Sequence, residues 1–444
     1  ELWRLQAGAR PARRRARRLG MRRASPAVMK TVSTLLIAAV ASALVTSACG
    51  SSEPAAPVPV YYGEVQRILQ ESCVECHSDS PDRLAPFSLA SYEDAVAAAQ
   101  TTPIAFAVLH RTMPPYYAQN DGSCQTFTSK WLSEEDLQTL VTWVNGERAA
   151  GDPARSLPPP TPAPPLPAVD ATLDIGGDYT PDPKVSDDYR CFVVDALGSS
   201  AAEKFVTGAH VSPSNFTVAH HAILFSLDSA QAEADALARD AADPALGYRC
   251  SSSGPTESGA TFLIGWAPGN QAQLFPAGTG IPVVGNRKLV VQMHYNLATS
   301  DGKPDRTRID LDLADTVASR GAMVAVRGDV NLPARTPDAT ASGTRRLPTN
   351  LGKLRVWGAA LHMHQRGIGA EVSVAGSQPA CLAKLEQWSF HWQHYYPYVN
   401  AVPVAGGDTF SVTCHFDTSN DATPVRWGEG SADEMCLAYL YVSQ

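Results

Sequence analysis

Leu354–His364 reads LRVWGAALHMH, a short apolar run between turn-forming residues, and its texture decides the fold class. Thr217–Leu227, Lys288–Tyr295 and Thr409–Phe416 share that texture: short alternating runs rich in β-branched and aromatic residues. From Asp170 onward no long helical period appears except around Ala230–Ala241. The expectation is therefore a mainly β protein. One sandwich rarely needs so much chain, so two stacked jelly-roll-type β-sandwich domains are expected, at 170–315 and 316–444, divided near Asp315–Arg320. In an extended strand alternate side chains share a face, so His362 and His364 at the end of the opening run point the same way, a spacing that suits chelation.

Upstream, the texture is different. Tyr61–Glu147 is helical in character, and residues 61–148 are expected to form a small all-α, cytochrome c-like domain. An apolar-periodic stretch, Tyr61–Cys73, leads it. Ser133–Val144 opens with the capping pattern Ser133/Asp136 and sets Leu137, Leu140, Val141 and Val144 on one face. Residues 149–169 contain GDPARSLPPPTPAPPLPA (Gly151–Ala168), a stiff Pro-rich linker that would let the helical domain dock without one fixed orientation.

Residues 1–52 read as upstream sequence, export signal and tether, continued by the Pro/Ala stretch Glu53–Val60. Met21 or Met29 is the expected start, followed by Lys30 and the apolar segment Thr34–Val45, which is too short for a permanent membrane span. Thr46-Ser47-Ala48-Cys49 resembles a bacterial lipoprotein signal, with a lipid anchor at Cys49; simple cleavage after a small residue is the alternative. The expected location is the periplasm or the outer membrane. The net charge of −8 conceals an asymmetry. Residues 1–48 hold ten Lys and Arg against one acid, so the remainder carries 26 basic and 43 acidic residues, a surface that repels nucleic acid.

Cys73-Val74-Glu75-Cys76-His77 is the c-type haem attachment pattern: two thiols spaced for the porphyrin vinyl groups, then an axial imidazole. Met113, in the Met-Pro loop Arg111–Pro115, is the expected second axial ligand, with His110 as competitor. Export leaves Cys124, Cys191, Cys250, Cys381, Cys414 and Cys436 for disulfides.

Five histidines lie in apolar β runs: His220-His221 in TVAHHAILF, His294 in VVQMHY, and His362 and His364 in ALHMH. In a regular strand an HH pair points to opposite faces, so each group taken singly is as ordinary as a core histidine. Together, five buried imidazoles are costly without partners, and metal ions are effective partners. Histidine-rich sites suit zinc, copper or iron. Met435, in SADEMC, adds a soft thioether that favours Cu(I).

The order HH, QxHY, HxH, DEMC across two β domains resembles the copper type II, ascorbate-dependent monooxygenases, which include dopamine β- and peptidylglycine α-hydroxylating enzymes. The resemblance covers roughly 170–444. It implies two coppers facing each other across a solvent-filled cleft: an electron-relay copper on His220, His221 and His294, and an oxygen-activating copper on His362, His364 and Met435. Gln292 and Tyr439 match positions close to these sites, and a Cys414–Cys436 disulfide is implied. It further implies C–H hydroxylation of a small organic substrate by O2, with ascorbate or another external reductant. The haem domain, with a possible redox partner protein, would serve as electron donor. Cys124, Cys191, Cys250 and Cys381 allow three connectivities, left open, with Cys191–Cys250 suited by position.

The pattern departs from the peptide-amidating members at Ala360, where they carry an Arg, and at Leu437, where they carry an Asn. That puts peptide amidation in doubt. His391, Trp392 and His394 in FHWQHYY either line a cavity or are structural. A laccase-like oxidase would need several HxH pairs. A non-catalytic haem/copper electron carrier is the other reading, separated from the enzyme by whether Met435 joins His362 and His364 at an open site.

Overall fold

The computed structural model describes residues 58–80, 84–128, 130–160, 165–251, 254–255 and 259–444. The expected start, export signal and Cys49 anchor lie outside them. Pro59–Gln444 forms one compact unit. Among the described residues no helix is long and apolar enough to cross a membrane.

The chain from Asp170 is built on sheets. One nine-stranded sheet runs in the order Ala171–Asp174, Arg308–Ala314, Glu203–Ser212, Thr279–Val284, Ser319–Arg327, Leu437–Ser443, Lys353–His362, Tyr395–Ala405, with Gln273–Leu274 added beside Glu203–Ser212. A five-stranded sheet holds Asp187–Val194, Leu289–Asn296 and Ala219–Leu227 at its centre, and a four-stranded sheet pairs Ala339–Arg346, Thr409–Phe416, Gly367–Ala375 and Ala380–Leu385. Strands alternate inward and outward, so each sandwich closes over its own core. Leu224, Val291, Tyr295 and Leu311 fill the first; Val356, Val372, Phe410 and Leu440 fill the second.

The sequence suggested two stacked sandwiches; the large sheet is common to both halves. Ser319 and Arg320 pair in parallel with Thr279 and Gly280, so the sheet continues across the Asp315–Arg320 connection. Tyr441, from the last strand, reaches back into the first core and donates to Thr279 Oγ1 at 2.8 Å. The exception to the β texture is the helix Ala230–Ala242, N-capped by Ser229, which lays Ala232 and Ala236 against the five-stranded sheet.

The N-terminal segment is helical: Gln66–Ser72, Tyr92–Thr101, Ile104–Leu109 and Glu134–Asn145 pack around Ile68, Leu69, Leu140 and Trp143. Tyr61–Cys73 is not one helix, because Gly63 takes a left-handed φ of 96° and breaks it before Gln66. Ser133 Oγ accepts from the Asp136 amide at 3.0 Å, the cap its spacing suggests.

The linker does not leave this segment free to reorient. Residues 116–128 are tied to the second sandwich by the Cys124–Cys381 disulfide, by backbone bridges pairing Ala118 with Leu385 and Phe127 with Tyr398, and by Tyr117 and Ala118 buried in that core. The linker itself folds back: Gln66 Oε1 accepts from the Leu157 amide at 2.9 Å. The physical reason lies in the loop between helices, whose backbone donors and apolar side chains are satisfied by the neighbouring sandwich rather than by water.

Candidate metal centre

His220, His221 and His294 come together where Ala219–Leu227 pairs with Leu289–Asn296. Regular pairing would send His220 and His221 to opposite faces. The register instead shifts: Ala219 opposes Tyr295 and His221 opposes His294, leaving His220 as an extra residue. This β-bulge turns both imidazoles to one side. One ring nitrogen from each of the three histidines lies within 4.8 Å of the others.

Hydrogen bonding decides which nitrogens face the centre. His294 Nε2 meets Asp187 Oδ1 at 2.9 Å, while His294 Nδ1, His221 Nδ1 and both nitrogens of His220 are buried without a hydrogen-bond partner. Orphaned buried lone pairs are costly, and three converging ones match the donor set of a copper ion. Burial, then the neighbouring His294, hold His220 down to about 2, and burial holds His221 well below and His294 below the ordinary imidazole range, so the rings are neutral and available as ligands.

The second group grows from the opening sequence run. His362 Nδ1 meets Gln393 Oε1 at 2.7 Å and His364 Nδ1 meets the Asp433 carbonyl at 3.3 Å, which leaves the Nε2 atoms as the candidate ligand nitrogens. Burial lowers His362 to about 4 and His364 to about 3. Glu434 cross-links the two ligand segments, its carboxyl accepting from the backbone amides of His364 at 2.8 Å and Arg366 at 2.6 Å. Burial pushes its pKa up to about 7 against those hydrogen bonds. Met435 follows, buried, and lines with His362 and His221 a cavity of about 270 Å³. The next residue, Cys436, is bonded to Cys414, which anchors the Met435 segment to the four-stranded sheet. Cys191–Cys250 and Cys124–Cys381 settle the remaining connectivity.

The two groups are not held apart by a solvent-filled cleft. The His221 and His362 rings lie 6.1 Å apart, centre to centre. Phe390 fills the space beside them, stacked on His220 at 4.2 Å and edge-on to His364 at 5.9 Å. This apolar ring covers His220 and His364, so a solvent-filled cleft is not what lies between the two groups. The opening lies on the cavity side. Tyr439 lines it, stacked on Phe262 at 5.1 Å, with its hydroxyl raised to about 12 chiefly by burial. Gln292 is buried two residues before His294 and donates to the Ser251 carbonyl at 2.8 Å.

The segment FHWQHYY has a more definite place than the sequence assigned it. Phe390 stacks on His220 and Gln393 bonds to His362, and the His391 ring lies 5.8 Å from that of His220. His394 lines the cavity, stacks on Tyr116 at 4.4 Å, and its Nδ1 meets Asn270 Oδ1 at 2.9 Å. Asp187, Gln393 and Glu434 were not singled out from sequence. Only Glu434 carried any signal, through its place beside Met435.

At the other end, Cys73 and Cys76 are thiols outside any disulfide. His77 Nδ1 meets the Phe87 carbonyl at 3.0 Å, a contact that fixes the orientation of the ring. This local chemistry fits a covalently held haem. Met113 is half-buried in the loop after Ile104–Leu109. Glu75, between the two cysteines, pairs with Lys130.

Two groups of buried neutral imidazoles, one with the Met435 thioether in the wall of the same cavity, offer a donor set that suits copper. The chain matches, over residues 326–443, the family model described as copper type II ascorbate-dependent monooxygenase, C-terminal domain. It is 24% identical over 294 residues to tyramine beta-hydroxylase of Caenorhabditis briggsae, covering 61% of this chain and 48% of that protein. It is 24% identical over 331 residues to dopamine beta-hydroxylase of Rattus norvegicus, covering 70% and 52%. The chain thus spans about half the length of these curated relatives. Among solved structures, PNGF-II matches with a TM-score of 0.29 and 9% identity over 62% of this chain and 64% of that one, too distant to bear on the reading.

Proposed function

We propose that the chain is a copper-dependent monooxygenase that hydroxylates a C–H bond of a small organic molecule, using O2 and two electrons from an external reductant such as ascorbate. The observation that carries this is the complementary presentation of ligand nitrogens. His220, His221 and His294 offer buried orphaned nitrogens at one site, while His362 and His364 are held by their Nδ1 atoms beside Met435 at the other. Copper bound at the first would supply one-electron relay, and at the second O2 activation.

The chain's own residues do the rest. Asp187 fixes the His294 tautomer, Gln393 fixes that of His362, and Glu434 sets the distance between the His364 and Met435 segments. Phe390 keeps bulk water from the histidines. The cavity beside His362 and Met435 receives the substrate, with Tyr439 in its wall.

The finer part of the proposal is a c-type haem on Cys73, Cys76 and His77, with Met113 opposite, as resident electron donor. Its support is the fixed seating of the helical segment, with Tyr116 stacked on His394 and the adjacent Gln393 bonded to His362. Export, with a lipid anchor at Cys49, belongs to the same proposal and is supported by the three disulfides. Turnover in isotopically labelled O2 tests the reaction: one labelled oxygen in the product is expected, and product oxygen drawn from water would refute it.

A further inference from the structure

The cavity at His362 has a charge pattern that restricts what enters it. Its described lining is mostly apolar and aromatic, including Phe262, Trp266, Met323 and Tyr395, and Arg327 is the only lining residue with a permanent charge. No Asp or Glu is among the described lining residues. Register explains how Arg327 comes to this face. Arg327 opposes Leu437, and Leu437 opposes His362, so the three form one row across adjacent strands. Two strand spacings put the Arg327 backbone about 10 Å from that of His362. Two residues along, on the same face, the row is Ala325, Tyr439 and the small Ala360.

The guanidinium is held in place. It stacks over the Trp427 ring at 3.5 Å, and Trp427 also lines the cavity. Its charge acts on the Tyr439 hydroxyl, which shares the cavity wall. Among the described residues Arg327 makes no ion pair with a carboxylate, so its hydrogen-bonding edge is not committed to the protein's own acids.

Resting on the monooxygenase reading above, we propose that the substrate class is an apolar, aryl- or alkyl-bearing organic anion, a carboxylate in the simplest case, whose charged end pairs with Arg327 while its apolar body lies toward His362 and Met435. A planar carboxylate suits the guanidinium fork. An ammonium compound of the same shape meets a fixed like charge and no counter-charge. The relatives named for tyramine and dopamine act on amines by their names; the lining here argues for the opposite charge.

The test is equilibrium binding to the full chain by calorimetry with three probes of one shape: phenylbutanoate, phenylbutanol and phenylbutylamine. The acid should bind tightest and the amine weakest. Arg327→Gln should weaken the acid by about tenfold, the scale of an exposed charge-assisted pair, with the alcohol unchanged. Arg327→Lys should retain part of the preference. An unchanged acid affinity in Arg327→Gln, or equal loss for all three probes, would overturn the proposal. Hydroxylation is scored separately on the copper-loaded chain. Acid binding through Arg327 without any turnover would sink the monooxygenase reading alone, whereas turnover of the amine in preference to the acid would sink the anion assignment alone.

Discussion

Removing the Asp187 carboxylate should weaken copper binding at the His220/His221/His294 site while leaving its three ligands in the chain. Asp187 Oδ1 accepts from His294 Nε2 at 2.9 Å, from Ser431 Oγ at 2.6 Å and from Asn296 Nδ2 at 3.0 Å. Its Oδ2 accepts from Ser186 Oγ at 2.9 Å. In Asp187→Ala the His294 ring loses the bond that fixes its tautomer, and buried donors lose their acceptor. Loss of such a partner behind a metal-bound imidazole weakens affinity about ten- to a hundredfold. The orphaned donors cost about 3 kcal/mol of folding stability in total, since water recovers part of the loss. Asp187→Asn keeps an acceptor at Oδ1 for His294 but removes the charge and puts an amide donor where Oδ2 accepts from Ser186 and the Ser431 amide, so its effect on copper affinity should stay below about tenfold while stability falls. Competition for Cu(I) against a chromophoric chelator, run in a Met435→Ala background to isolate this site, measures the affinity. Urea unfolding measures the stability. Wild-type copper affinity in Asp187→Ala, with stability reduced, would refute the reasoning and leave Asp187 as a brace for the Ser431 loop only.

Two further outcomes follow from the scaffold. Asp243 accepts from the buried Arg190 at 2.7 Å, and that bond lowers its pKa to about 2 from the ordinary 3.8. A depressed carboxyl contributes stability above its unfolded pKa and loses it as pH falls through the folded value. Urea midpoints should therefore drop between pH 4 and pH 2, and Asp243→Asn should flatten that slope. At neutral pH, Asp243→Ala should cost about 2 kcal/mol, because the buried Arg190 keeps its charge with only the Leu246 and Gly247 carbonyls to accept from it. Replacing Cys124 and Cys381 by Ser should leave the β sandwiches folded but expose residues 110–130 to limited proteolysis, and unchanged cleavage would show that backbone pairing alone seats the helical segment.

Much of this architecture was legible in the sequence for identifiable reasons. Alternation in Thr409–Phe416 and Leu354–His364 survives as strands because each has one face on a core. The HxH spacing placed two imidazoles on one face without further information. The His220-His221 pair was different: its convergence depends on a bulge, an irregularity in pairing with Leu289–Asn296 that neither strand announces alone. Gln393 and Asp187 support ligands 31 and 107 residues away, and such contacts have no local pattern. The Cys124–Cys381 bridge spans 257 residues and fixed an orientation that the Pro-rich composition of the linker had suggested was free. Composition reports stiffness of a segment, not what its flanking loops bind. Closeness of the two histidine groups was equally hidden, since it depends on how the five-stranded sheet faces the Lys353–His362 strand and on Phe390 closing the gap.

The central claim is that one chain holds two distinct copper ions, one on three imidazoles and one on two imidazoles with the Met435 thioether. X-ray absorption of the Cu(I)-loaded chain, quantified for copper per protein and compared between wild type and Met435→Ala, tests it most directly. The account predicts two coppers and a copper–sulfur scattering component in the wild type, with that component lost and the three-histidine copper retained in the variant. A single copper per chain, or a sulfur component that survives Met435→Ala, would contradict it.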